Sequence, residues 1–363
     1  MKKGTVFHLI AFVAALFLIG LVSFSLLLYN SFTIERKGVI QSDVINATNA
    51  MELVKKNLQQ ALTFSYYQAS YEIAKNGGGI QPILIWRNYD NKLGYPSDFD
   101  KTLAKQTLER FNQYVNKLLE GSEITVENYK EVQVEGEEKG EREYIDALSF
   151  IEQPCQKDPT EICRKDGKIR ISKFFVELSN KANVYVSIPI RTLELFRMGE
   201  KNFVSRDIVQ ERINAGIANA GLKSSHRVTS CEFVPTSDDV FRDANGMIVS
   251  AAEDFISNKV RDSLLGLTEL SSDKINIKID VLEVKSKVEP NCFGPTSYNP
   301  TCSSPEIYST LTCNFNFFSS AKVKVEIVDN GKYPVYDSTV GMRNIQLNFN
   351  VISGNDYNKK LIQ

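Results

Sequence analysis

The chain opens on an uninterrupted apolar run. From Val6 to Tyr29 it reads VFHLIAFVAALFLIGLVSFSLLLY, with no acid, Lys, Arg or Pro. As a helix this run would be ~36 Å long, enough to cross the ~30 Å hydrocarbon layer of a bilayer. Only helices and closed barrels satisfy their backbone polar groups inside lipid, so the pattern predicts a transmembrane anchor at residues 1–30. Beyond it the rhythm changes. Val44, Ala47, Met51, Val54, Leu58 and Ala61 recur at spacings of three and four, and Leu62, Tyr66 and Ile73 widen the stripe. Between Ser31 and Lys75 there is no Pro and a single Gly, Gly38. This predicts an amphipathic stalk helix over 31–76, ended by Gly77-Gly78-Gly79.

After an irregular connector around Trp86, Ser97 reads as the N-cap of a helix from Phe99 to Glu120. Its buried side would hold Leu103, Leu108, Phe111, Val115, Leu118 and Leu119. An acidic stretch from Glu120 through Glu143 to Asp146 follows and reads as a solvated face. Within it Ile124/Val126 and Val132/Val134 alternate as a strand pair or edge. Ile169–Leu178 and Val184–Ile190 read as a hairpin, and Ser205–Ala220 as a helix stopped by Gly221. Further on come a helix at Met247–Leu265 and an alternating strand at Ile275–Val281. Strands at Leu311–Phe318 and Val323–Val328, an Asp329-Asn330-Gly331 turn and a strand at Ile345–Val351 complete the pattern.

The fold class that results is α+β: a long N-terminal transmembrane and stalk helix, then a head of antiparallel sheets and packed helices. A first module covers 77–200, a helical and strand connector 201–237, and a second module 238–363. The order helix, strand pair, looped cysteines, strands occurs at 98–191 and 238–352. It reads as two related modules, although such an arrangement is common enough to arise twice independently.

Charge is balanced, with 43 basic and 44 acidic residues, so no polyanion-binding surface and no nucleic-acid partner is implied. All six cysteines lie beyond the apolar run. An even set in an anchored chain points to an oxidising compartment, and Lys2 and Lys3 precede the run. The expected location is therefore a single-pass membrane protein, N-terminus cytoplasmic and head extracellular. Loop closure suggests disulfides Cys155–Cys163 and Cys292–Cys302, and elimination leaves Cys231–Cys313. A cleaved secretory signal is the alternative for the N-terminus, but such signals have apolar cores of about 7–15 residues. Asn46-Ala-Thr48 is a glycosylation sequon on the stalk.

The start Lys2-Lys3-Gly4-Thr5, directly before the apolar run, resembles the class III signal of archaeal type IV pilins and pilin-like proteins. The resemblance covers residues 1 to about 75. It implies cleavage between Gly4 and Thr5 by a prepilin peptidase, and a membrane helix continuing into a stalk that packs on a globular head. Those proteins usually carry Glu five residues after the cut, where this chain has Leu9, with His8 as the polar neighbour. The resemblance thus implies a minor pilin or a pilin-like anchored protein.

His8 and His226 are the only histidines, which removes most hydrolase and metalloenzyme schemes. No nucleophile elbow, zinc-protease, phosphate-loop or dinucleotide motif is present, and no C-x-x-C. The expectation is a non-enzymatic surface protein with no cofactor and no metal site, its head serving filament assembly, adhesion or surface structure. The bilayer would hold Val6–Tyr29, and helix 31–75 would contact other membrane-anchored subunits in a homo- or hetero-oligomer. The alternative is a ligand- or partner-binding ectodomain of a sensor or transport complex.

Overall fold

The computed structural model describes residues 3–88, 94–122, 124–137, 140–155, 162–171, 178–222, 225–228, 241–242, 248–249, 252–293 and 311–355. The elements run α1 (Lys3–Lys75), β1 (Ile85–Arg87), α2 (Phe99–Leu119), β2 (Ile124–Val126), β3 (Glu131–Gly136) and β4 (Glu143–Leu148). Next come β5 (Phe150–Pro154), β6 (Ile162–Asp166), β7 (Lys168–Ile171), β8 (Leu178–Lys181), β9 (Val184–Ile188), α3 (Thr192–Gly199) and α4 (Ile208–Asn219). Then follow β10 (Ser225–Val228), β11 (Phe241–Arg242), β12 (Ile248–Val249), α5 (Ala252–Leu265), β13 (Ile275–Phe293) and β14 (Leu311–Asp329). Last are β15 (Tyr333–Asp337), β16 (Thr339–Arg343) and β17 (Gln346–Gly354). The architecture is mixed helix and sheet, and it divides into two compact units, each discontinuous in sequence.

The first unit holds residues 1–61, 112–131 and 147–184. Its part of α1 buries Ala47, Met51, Val54 and Leu58, the expected 3-4 stripe, while Val44 is exposed. β2, β7 and β8 form an antiparallel sheet in the order β2-β7-β8. The Asn112 side chain clamps the entry to it, donating from Nδ2 to the Tyr129 carbonyl at 3.1 Å and accepting from the Tyr129 N–H at 3.2 Å. β5 and β6 form a separate hairpin with Gln153 opposite Cys163. The expected pairing of Ile169–Leu178 with Val184–Ile190 is not made: β7 pairs with β8, and β9 joins β3 and β4 in another sheet. β2 and β3 likewise do not pair with each other.

The second unit holds 62–111, 132–146 and 185–363. Here α1 buries Leu62, Tyr66, Ala69, Ile73 and Ala74. The helix ends in a Schellman motif: Gly78 N–H donates to the Ile73 carbonyl at 2.8 Å and Gly77 N–H to that of Ala74 at 3.0 Å. Gly77 sits at φ +70°, and a Cβ there would come within 2.2 Å of the Ile83 carbonyl oxygen. Trp86 on β1 is fully buried; its indole N–H donates to the Gly77 carbonyl at 2.8 Å, and its ring stacks on Phe349 of β17.

The main sheet of this unit runs β1-β17-β14-β10, with β13 paired along the whole other side of β14. The two strands expected at Leu311–Phe318 and Val323–Val328 are one strand of 19 residues. Ser319 and Ser320 interrupt its apolar alternation, but β13 continues to pair alongside them. α4 and α5 pack on each other and on this sheet. They approach so closely at Gly216 that a Cβ there would lie 2.6 Å from the Val260 Cα. Asp207 caps α4, accepting from the Gln210 N–H at 3.0 Å, whereas Ser97 donates to Asp98 Oδ1 and caps nothing at α2. Leu118, expected on the buried side of α2, is exposed.

The transmembrane expectation is corrected. Among the described residues no helix is long and apolar enough to cross a membrane. Residues 3–20 are helical, but their side chains lie outside those described. The part of the apolar run that is described, 21–29, is followed by Asn30 and Ser31, with the charged Arg36 and Lys37 shortly after. The anchor at Val6–Tyr29, the single-pass location with an extracellular head, and the type IV pilus setting built on them therefore do not stand.

Candidate functional site

The most unusual surface lies on α1 in the first unit. Every described residue at 21–31 and 36–42 is exposed. Eleven large apolar side chains between Leu21 and Ile45 are 37–71% exposed, among them Phe24 at 61%, Leu27 at 68% and Tyr29 at 71%. At ~100° per residue, Leu21, Val22, Phe24, Leu26, Leu27, Leu28 and Tyr29 are distributed round the whole circumference rather than along one stripe. Two hydroxyls on this face of the chain bond back to the helix itself. Ser31 Oγ donates to the Leu28 carbonyl at 3.1 Å, and Thr48 Oγ1 to that of Val44 at 2.8 Å. Asn30, Arg36, Lys37 and Gln41 are exposed on the same stretch, so the part of the helix that is apolar all round is 21–29.

A second feature is buried in the other unit. Glu143 on β4 is 2% exposed. One of its oxygens accepts from the Tyr66 hydroxyl, and the other accepts from the Leu193 N–H at 2.7 Å. Leu193 lies in the first turn of α3, whose N-cap position Arg191 offers no side-chain cap. The carboxyl takes over that role from another element. Burial pushes the Glu143 carboxyl up to about 8, with the Asp329 charge adding to the rise and the Tyr66 and Leu193 donors opposing it. Burial also raises the Tyr66 phenol well above its usual range, the Glu143 charge adding to the effect.

Nearby, Asp329 is fully buried. It accepts from Arg191 at 3.1 Å, from the Gly331 N–H at 2.9 Å and from the Tyr333 hydroxyl at 2.7 Å. A carboxyl sealed from solvent reaches no substrate, so the Glu143 centre works as a fastener between α1, β4 and α3. A cleft of about 460 Å³ opens elsewhere in this unit, over Phe99 and Phe196, with Tyr95, Asp100, Glu135, Arg197 and Glu200 in its lining. Its three carboxylates and one guanidinium leave the lining net acidic. Both hydroxyls of the lining are engaged: Ser97 donates to Asp98 Oδ1 at 2.8 Å, and Tyr95 is hydrogen-bonded to Glu200. Among the described residues no group of three or more His, Cys, Asp or Glu side chains is placed to hold a metal.

The residues singled out from sequence are not brought together. Gly4 and Thr5 lie within α1, and their side chains are outside the described set. Asn46 is exposed on α1. No disulfide pair is found complete among the described residues. Cys155 is disulfide-bonded, but the side chains of Cys163, Cys231, Cys292, Cys302 and Cys313 lie outside those described. The backbone sets Cys292 opposite Cys313, and Cys313 opposite His226. The expected pairs Cys155–Cys163, Cys292–Cys302 and Cys231–Cys313 each include a side chain that lies outside the described residues. Sequence reasoning missed Glu143, which it placed on a solvated acidic face, and the β15–β16 hairpin. Only the alternation of Tyr333, Val335 and Asp337 with Pro334 and Tyr336 could have signalled the hairpin.

No family model, no curated protein and no solved structure matches this chain.

Proposed function

We propose that this chain is a non-enzymatic assembly protein, in which α1 is bundled with the α1 helices of further copies and the folded units are the part presented outward. The observation that carries this is the set of eleven large apolar side chains exposed at 21–45 of α1. A helix that is apolar all round is a buried helix. One partner helix covers a stripe, so full cover takes three or more chains. At ~1.5–3 kcal/mol for complete burial of a large side chain, eleven that are about half exposed supply on the order of 10 kcal/mol per chain. That is comparable to the ~4–15 kcal/mol cost of association, so bundling is energetically within reach. The Ser31 hydroxyl is satisfied within the helix, while Arg36 and Lys37 lie beyond the apolar segment 21–29 and can stay hydrated at the end of the bundle.

The test is sedimentation velocity on the full chain beside the triple variant Phe24→Gln, Leu27→Gln, Leu28→Gln. Glutamine keeps helix propensity while removing the apolar cover. The expected result is three or more chains for the unaltered protein and fewer than three for the variant. An unaltered protein of one or two chains, or an assembly that the variant leaves intact, overturns the reading.

A further inference from the structure

The hairpin β15–β16 in the second unit has two edges that are treated differently. Tyr336 on β15 stands directly opposite Val340 on β16. The backbone of Tyr336, however, is bonded elsewhere. Its N–H donates to Gln68 Oε1 at 2.8 Å, and its carbonyl accepts from Gln68 Nε2 at 3.0 Å. A single amide thus imitates a neighbouring strand and closes the outer edge of β15. It follows that Tyr336 and Val340 are a non-hydrogen-bonded pair, whose N–H and C=O groups point away from each other. Pro334, opposite Met342, obeys the same parity, having no N–H to offer outward.

The backbone groups of Val340 and Met342 therefore point out along the free edge of β16. There the side chains of Val340 and Met342 are 79% and 60% exposed. β16 reads Thr-Val-Gly-Met-Arg, with no Pro, no acid and no bulge. The long edge strand β13 shows the contrary treatment. It carries a bulge at Leu282, the Lys285–Glu283 and Lys287–Glu289 pairs, Pro290, and Glu253 accepting from the Val288 N–H at 2.9 Å. Proteins guard exposed edges with such devices; β16 is short and ends on Arg343, but it has no bulge, Pro or acid over Val340–Met342.

We infer that the open edge of β16 is a docking surface for β16 of a second copy, paired antiparallel about a twofold axis through Gly341. The strand is self-complementary in that arrangement, as a twofold interface requires. Val340 meets the partner's Met342 and Met342 the partner's Val340, giving four backbone hydrogen bonds from groups that pair with no strand among the described residues. Thr339 meets the partner's Arg343, in the row that holds Asp337 of the other copy, a carboxylate that Tyr71 and Lys75 of its own chain also engage. Tyr336, Val340 and the partner's Met342 and Pro334 form one apolar row on one face. At the axis Gly341 presents no side chain to obstruct the approach.

This interface is separate from residues 21–45 of α1, and the test keeps the two apart by using the full chain carrying the α1 triple Gln variant. Sedimentation equilibrium on that protein is expected to show a dimer. Val340→Lys places a like charge across the axis, and Val340→Pro removes an outward N–H that β15 does not use. Each is expected to weaken dimerisation at least tenfold. Gly341→Cys is sterically open, with Arg343 Nε the nearest atom to the new Cβ at 3.9 Å. It is expected to yield a covalent dimer whose peptide map shows a 341–341 disulfide. A monomer in the α1 background, a dimer indifferent to Val340→Lys and Val340→Pro, or a Gly341→Cys protein that stays uncrosslinked under oxidation would each overturn the inference. A dimer that persists only through α1 would be lost in that background and is thereby distinguished.

Discussion

Two stretches of the same helix, α1, have nearly the same supply of apolar residues and use them differently. From Ala47 to Ala74 the apolar side chains recur every three or four positions, and Ala47, Met51, Val54, Leu58, Leu62, Tyr66, Ala69, Ile73 and Ala74 are buried. From Leu21 to Ile45 they show no such period, and none of those described is buried. A helix with one apolar stripe finishes its packing within its own chain. A helix apolar on every face has more surface than one sheet or one helix can cover. The difference teaches that total hydrophobicity says little about where a helix belongs, while its periodicity says how many neighbours it requires.

The sharpest way to break the comparison is to truncate a side chain in each stretch. Leu58→Ala empties a fully buried site and is expected to lower unfolding stability by ~2–5 kcal/mol in a urea titration. Leu27→Ala, at a site 68% exposed, is expected to change head unfolding by less than ~0.5 kcal/mol while weakening self-association. Equal effects at the two sites would dissolve the distinction.

A pH titration sharpens the buried stretch, where Tyr66 meets Glu143. Glu143 titrates near 8 in the folded protein, against 4.5 for a free carboxyl. The folded state therefore holds a proton that the unfolded state has released between those values. The contribution to stability is complete below pH 4.5, declines as pH rises and is gone above about 8. At ~1.4 kcal/mol per unit, the loss is on the order of a few kcal/mol. Glu143→Gln is expected to remove this slope, measured as thermal midpoints from pH 5 to 9. A smaller effect is expected at the helix stop. Gly77→Ala forces an L-residue to φ +70° against the Ile83 carbonyl, expected to cost ~1–3 kcal/mol.

Much of α1 was legible in sequence because its signals are local. The 3-4 spacing from Ala47 and the glycines at 77–79 each act within a turn or two of themselves. α2, α4 and the strand at Ile275 were found for the same reason. The membrane reading rested on hydrophobicity over the whole of Val6–Tyr29, whereas among the described residues no helix is long and apolar enough to cross a membrane. Glu143 was illegible because its partner Tyr66 lies 77 positions away and it sits in a stretch rich in acidic residues. The hairpin at Tyr333–Arg343 was hidden by Pro334 and Gly341, which read as breakers. Pro334 is accommodated because its backbone nitrogen points away from β16, and Tyr336 is held by Gln68, 268 residues distant in sequence. Partners that far apart leave no local pattern.

The central claim, that α1 is covered by other copies of itself, is tested most directly by placing a photoreactive benzophenone side chain at position 27 of the purified full chain and irradiating it. The expected result is chain-to-chain adducts whose peptides map to 21–45 of a second α1. Adducts confined within one chain, or none between chains at concentrations of tens of micromolar, would contradict the account.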